Sequence, residues 1–118
     1  MFLTSYQSRS CTFTITVNDA DGVAVVFVTG DVMRVKIGRN GDTPVLDFDS
    51  VAAGAGGSTV SSANPTTLVL DQDDMDIAPG VYDIEVSIVD DSDQDRIKHA
   101  EKGVLVVHQT QAGDIGLT

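Results

Sequence analysis

The chain has 118 residues and a formal net charge of -11, a size for which one domain with its own core is the expectation and a charge that opposes nucleic-acid phosphates and anionic membranes. Its single cysteine, Cys11, excludes an internal disulfide, and Met1-Phe2-Leu3 runs directly into polar Thr4, Ser5, Gln7 and Ser8, so neither a signal peptide nor a membrane span is predicted. Lys and Arg are absent between Arg39 and Arg96; a basic surface, a cation or plain solubility suits such a charge.

In chain order, residues 1–10 read as an arm or a short edge strand, polar with Phe2, Leu3 and Tyr6 scattered through it. From Cys11 to Val17, inward Phe13, Ile15 and Val17 alternate with outward Thr12, Thr14 and Thr16, a first strand, and Asn18 to Gly22 supplies turn chemistry. Val23 to Val28 is apolar on both faces, which fits either a buried strand or an irregular crossing between sheets. Met33, Val35 and Ile37 alternate with Arg34 and Lys36, and Asn40-Gly41 predicts a hairpin returning through Val45 to Asp49. Its outward Asp47 and Asp49 would lie within reach of Arg34 or Lys36. Ala52 to Ser58 is rich in glycine and reads as a flexible surface loop. Thr59 to Ser61 and Thr66 to Leu70 are short strands.

The stretch from Leu68 to Val89 organises the rest. An acidic turn, Asp71 to Asp76, leads to Pro79-Gly80, which turns the chain into a strand with Tyr82, Ile84, Val86 and Ile88 on one face and Asp83, Glu85 and Ser87 on the other. Pro79, Gly80 and Tyr82 predict a tyrosine corner, with the phenol reaching back to upstream backbone. Asp90 to Asp95 is expected to be a solvated loop, and Arg96 to His108 a last strand region interrupted at Lys102-Gly103. Val104 to Val107 is apolar on both faces, so it is either a central strand under a loop or a strand whose second face meets another chain. The interface candidates are Val104 and Val106, with Phe2, Leu3 and Tyr6 from the arm. About seven short strands without helical periodicity predict an all-β, antiparallel β-sandwich over residues 11–108, flanked by arms at 1–10 and 109–118.

Catalytic and metal chemistry find little purchase. Cys11 lies among threonines, His99 and His108 have no ligand spacing with it, and no phosphate loop or nucleophile elbow is present, so no enzyme and no cofactor are predicted. Asp91, Asp93 and Asp95 alternate as the first ligands of a calcium loop do, but Arg96 stands where that loop needs glycine and Lys102 where it needs a bidentate Glu. The frame beginning at Asp90 restores Glu101 but places Asp95 at the glycine position. Asp71, Asp73, Asp74 and Asp76 form a second acidic candidate. A calcium-assisted adhesin binding host-surface carbohydrate is a competing reading, although sugar sites stack rings on aromatic side chains and this chain has no Trp, two Tyr and four Phe.

Val23 to Val32 followed by Arg34 to Ile37, then Thr67 to Leu70 through Pro79-Gly80-Val81-Tyr82 to Val86, and lastly Lys102-Gly103-Val104-Leu105-Val106, together resemble the immunoglobulin-like module of tailed-bacteriophage virion proteins. The pattern is similar to the amino-terminal domain of upper-baseplate and head- or tail-fibre proteins, and it spans roughly Cys11 to His108. The resemblance implies an immunoglobulin-like sandwich located in the virion and bound to the major capsid protein or other virion proteins. Because the sequence stops soon after the last strand, a capsid decoration protein is expected before a baseplate or fibre adaptor, as a homo-oligomer for which decoration proteins suggest a trimer.

Overall fold

A computed structural model of the chain describes residues 1–39 and 43–109. Eight strands form two sheets, and no helix occurs among the described residues. In chain order they are β1 (Phe2–Tyr6), β2 (Cys11–Ile15), β3 (Asp31–Gly38), β4 (Leu46–Asp49), β5 (Thr59–Val60), β6 (Thr66–Leu70), β7 (Gly80–Asp90) and β8 (Asp93–His108). One sheet has the order β1-β8-β7-β3-β4 and the other β2-β6-β5. All pairings are antiparallel except β1 with β8, which is parallel.

Alternation decides which side chains fill the space between the sheets. Met33, Val35 and Ile37 of β3, Tyr82, Ile84, Val86 and Ile88 of β7, and Leu105 and Val107 of β8 meet Ile15, Val60, Leu68 and Leu70 from the smaller sheet in one buried cluster. Burying side chains of this size contributes roughly 1.5–3 kcal/mol each. Across β3 and β4, Arg34 makes its paired contact on the diagonal: Nε and Nη2 donate to the two carboxylate oxygens of Asp47 at 3.0 and 2.9 Å, although its direct register partner is Asp49.

Open alternatives are resolved and two local expectations are revised. Residues 2–6 form the edge strand of the two readings, and β8, expected to break at Lys102-Gly103, runs unbroken through it for 16 residues. The glycine serves a close approach: a Cβ at Gly103 would lie 2.2 Å from the Met1 carbonyl oxygen. Val104 to Val107 therefore belongs to an interior strand of its sheet, between β1 and β7. The solvated loop predicted for Asp90 to Asp95 is a tight β7–β8 hairpin with Asp93 and Asp95 already in β8. Val23 to Val28 makes the irregular crossing from β2 to β3, carrying one isolated bridge from Asn18 to Ala24. The Asn64 side chain holds this crossing by accepting from Val17 N–H at 2.9 Å and donating to the carbonyls of Val17 and Val25.

The glycine-rich segment is equally committed. The carboxylate of Asp74, from the acidic turn, accepts the N–H groups of Gly56 and Ser58 at 2.9 and 3.1 Å, and a Cβ on Gly56 would stand 2.6 Å from it. The loop is thus wound around a buried acid, and glycine is what lets the backbone come that close. The Asn40-Gly41 turn and the arm beyond Gln109 lie outside the described residues.

Candidate protein interface

The outward face of the larger sheet divides into two halves. Towards β4, the β7–β8 hairpin curls over the sheet: β7 shifts register near Val89, and the Gln94 amide donates to Asp49 at 3.1 Å although β7 and β3 separate their strands. Val32, Ser87 and Val89, which point away from the central core, are buried on this half. Lys98 pairs with Asp31 at the same end.

Towards β1 the face is open. Parallel register sets Phe2 beside Val104, Thr4 beside Val106 and Tyr6 beside His108, and β7 adds Val81 opposite Val106 and Asp83 opposite Val104. Phe2 is 70% exposed, Val81 61% and Tyr6 50%, with Val104 and Val106 half-buried between them. Tyr6 and His108 stack tilted with ring centroids 5.4 Å apart, and the Arg9 guanidinium lies 5.7 Å from the Tyr6 centroid. Four of the five interface candidates, Phe2, Tyr6, Val104 and Val106, therefore share one surface. Leu3 does not, because β-alternation turns it to the opposite face, where it packs against the core. Val81 is the member the sequence reading passed over; its place directly before inward Tyr82 was the available signal.

At the corner, the Tyr82 hydroxyl donates to the Ala78 carbonyl and accepts from Arg39 Nη2 at 3.1 Å. That guanidinium also donates to the Pro79 carbonyl at 3.2 Å, and its carbon stands 4.6 Å from the Tyr82 ring centroid, where Gly80 opens β7. A hollow of about 390 Å³ beside it is lined by Arg39, Thr43, Val45, Ile77, Ala78 and Tyr82.

The other titratable groups are scattered. Burial pushes the Cys11 thiol up, with the Ser5 hydroxyl pulling the other way, which leaves it a poor nucleophile at neutral pH. His99 and His108 are nine positions apart on β8, roughly 30 Å along a strand. Asp91, Asp93 and Asp95 spread along the hairpin, and no three acidic, histidine or cysteine side chains among the described residues are gathered as a metal site. No protein-family model matches the chain, and no curated protein matches it.

Proposed function

We propose that this chain is a structural virion protein of a tailed bacteriophage, a capsid decoration protein that binds the head surface as an immunoglobulin-like sandwich. The observation that carries the reading is the open apolar strip of Phe2, Tyr6, Val81, Val104 and Val106 beside an unpaired sheet edge, a surface suited to another protein. Three of those residues, Val81, Val104 and Val106, also belong to the motifs that carry the resemblance. Two features support the sandwich type. The orders β8-β7-β3-β4 and β2-β6-β5 correspond to the GFCC′ and BED sheets of a variable-type immunoglobulin domain, and Tyr82 stands near the start of the strand that would be F. Partners on this reading are the major capsid protein and further copies of the chain.

Imaging particles with and without the protein tests the location: added density on the head between capsomers is the expected result, and density confined to the baseplate or tail tip gives the case to the fibre-adaptor reading. Val81→Asp with Phe2→Ser should abolish particle binding while circular dichroism stays that of the wild type; undiminished binding removes the strip from the argument.

A further inference from the structure

We propose that β1 pairs antiparallel with β1 of a second copy across a two-fold axis at Thr4, joining two five-stranded sheets into one. Backbone direction sets the register. Met1 N–H donates to Lys102 O, Val104 N–H to Met1 O, and Gln7 N–H to His108 O. In a parallel ladder this turns the odd-numbered residues of β1 towards β8, so the N–H and C=O groups of Phe2, Thr4 and Tyr6 point to the open edge. The same three residues send their side chains to the exposed face. A two-fold at Thr4 then places Thr4 opposite Thr4 and Phe2 opposite Tyr6 of the other copy, matching donors to acceptors at each position. A two-fold at Leu3 or Ser5 would pair only Phe2 with Thr4, or only Thr4 with Tyr6, and leave the aromatic residue at the other end outside the paired strands.

The occupant follows from the pattern and the charge. The outward residues Phe2, Thr4 and Tyr6 are symmetric in character about Thr4, aromatic at both ends, which is the self-complementarity a two-fold contact requires. Exposed edges are ordinarily blunted by charge, proline or a bulge. The opposite edge strand, β4, carries Asp47 and Asp49, whereas β1 has no charged residue in a chain of net charge -11. Two copies can approach along this edge without facing their acidic surfaces. Cross-strand aromatic pairs of Phe2 with Tyr6 continue the strip of Val104, Val106 and Val81 across the junction. Such a contact closes at two copies, unlike the threefold assembly that decoration proteins suggest, and it stands on the residues of the edge whether or not the particle reading holds.

Sedimentation velocity on the full chain, from micromolar to millimolar concentration, gives the test. The wild type is expected to move from monomer to dimer. Thr4→Lys, which sets like charges opposite each other on an exposed position, should raise the dimer dissociation constant at least about tenfold, with an unchanged melting temperature at concentrations where both chains are monomeric. In a Cys11→Ala background, Thr4→Cys should form a disulfide dimer on mild oxidation, while Val81→Cys, two strands from the edge, should not. A chain that stays monomeric throughout, a trimer, a dimer indifferent to Thr4→Lys, or equal cross-linking at both cysteine positions would each overturn the pairing.

Discussion

Two stretches of this chain have nearly the same acidic composition and opposite roles. Asp71, Asp73, Asp74 and Asp76 form a turn whose central carboxylate is buried and accepts two backbone N–H groups of a distant loop. Asp90, Asp91, Asp93 and Asp95 form a hairpin tip whose carboxylates cap local backbone: Asp90 accepts from the Ser92 N–H and hydroxyl, and Asp93 from the Asp95 N–H. Local sequence cannot separate the two, because what distinguishes them is a partner elsewhere in the chain. A carboxylate with only neighbouring partners stays solvated, whereas one approached by a glycine-rich loop from 18 residues away becomes a structural centre.

The largest expected effect lies in the first stretch. Asp74→Ala leaves the Gly56 and Ser58 N–H groups without their charged acceptor and should cost about 3 kcal/mol in chemical denaturation. A loss below about 1 kcal/mol would reduce the buried turn to the status of the hairpin. Gly56→Ala follows at about 2 kcal/mol, since the new methyl would press on the Asp74 carboxylate and on its backbone nitrogen. Next comes the corner that ends the same turn. Tyr82→Phe removes a hydroxyl bonded at once to Ala78 and Arg39 while keeping the ring under the guanidinium, and should cost on the order of 1 kcal/mol; an unchanged midpoint would show that water replaces both bonds.

In the second stretch, effects should be small at neutral pH and visible in acid. Asp91→Asn with Asp93→Asn should change stability by no more than about 0.5 kcal/mol. Millimolar calcium should leave the melting temperature nearly unchanged for the same reason, and a saturable rise of several degrees abolished by this double substitution would restore the adhesin reading.

Three carboxyls at this end of the molecule are held below their ordinary range. Burial pushes Asp31 up, but the Lys98 ammonium and the Val28 N–H outweigh it; burial likewise raises Asp49, and the N–H groups of Ala52 and Val51, the Gln94 amide and the Arg34 charge more than offset that. The Ser92 hydroxyl and N–H hold Asp90 down. A carboxyl depressed in the folded state contributes stability that is complete above its unfolded value, about 4, and is lost as pH falls through the folded value. Stability should therefore decline below about pH 4, and Asp31→Asn should flatten that decline; a profile as steep as that of the wild type would assign the acid loss to other groups.

Much of the architecture was legible from alternation. Tyr82, Ile84, Val86 and Ile88 read inward because every second residue of a half-buried strand is apolar, and the core holds all four. The Phe13, Ile15 and Val17 side chains followed by the same period, with Ile15 and Val17 fully inside. Where apolar residues occupy both faces, that period carries no information. Val104 and Val106 are outward and Leu105 and Val107 inward only because β1 and β7 flank β8 and the smaller sheet lies on one side of it. Val23 to Val28, equally apolar, runs as an irregular crossing with Val26 76% exposed, since it spans two sheets and belongs to neither.

Composition and periodicity by themselves determined an all-β chain, the faces of its alternating strands and its acidic surface, because these depend on the residues within a single element. Tertiary structure alone decided that residues 2–6 close a sheet edge in parallel with β8, that Leu3 turns away from the other four interface candidates, and that the glycine loop winds around Asp74. Each of those depends on a contact between segments far apart in sequence, where a single steric opening, at Gly103 or at Gly56, admits the partner.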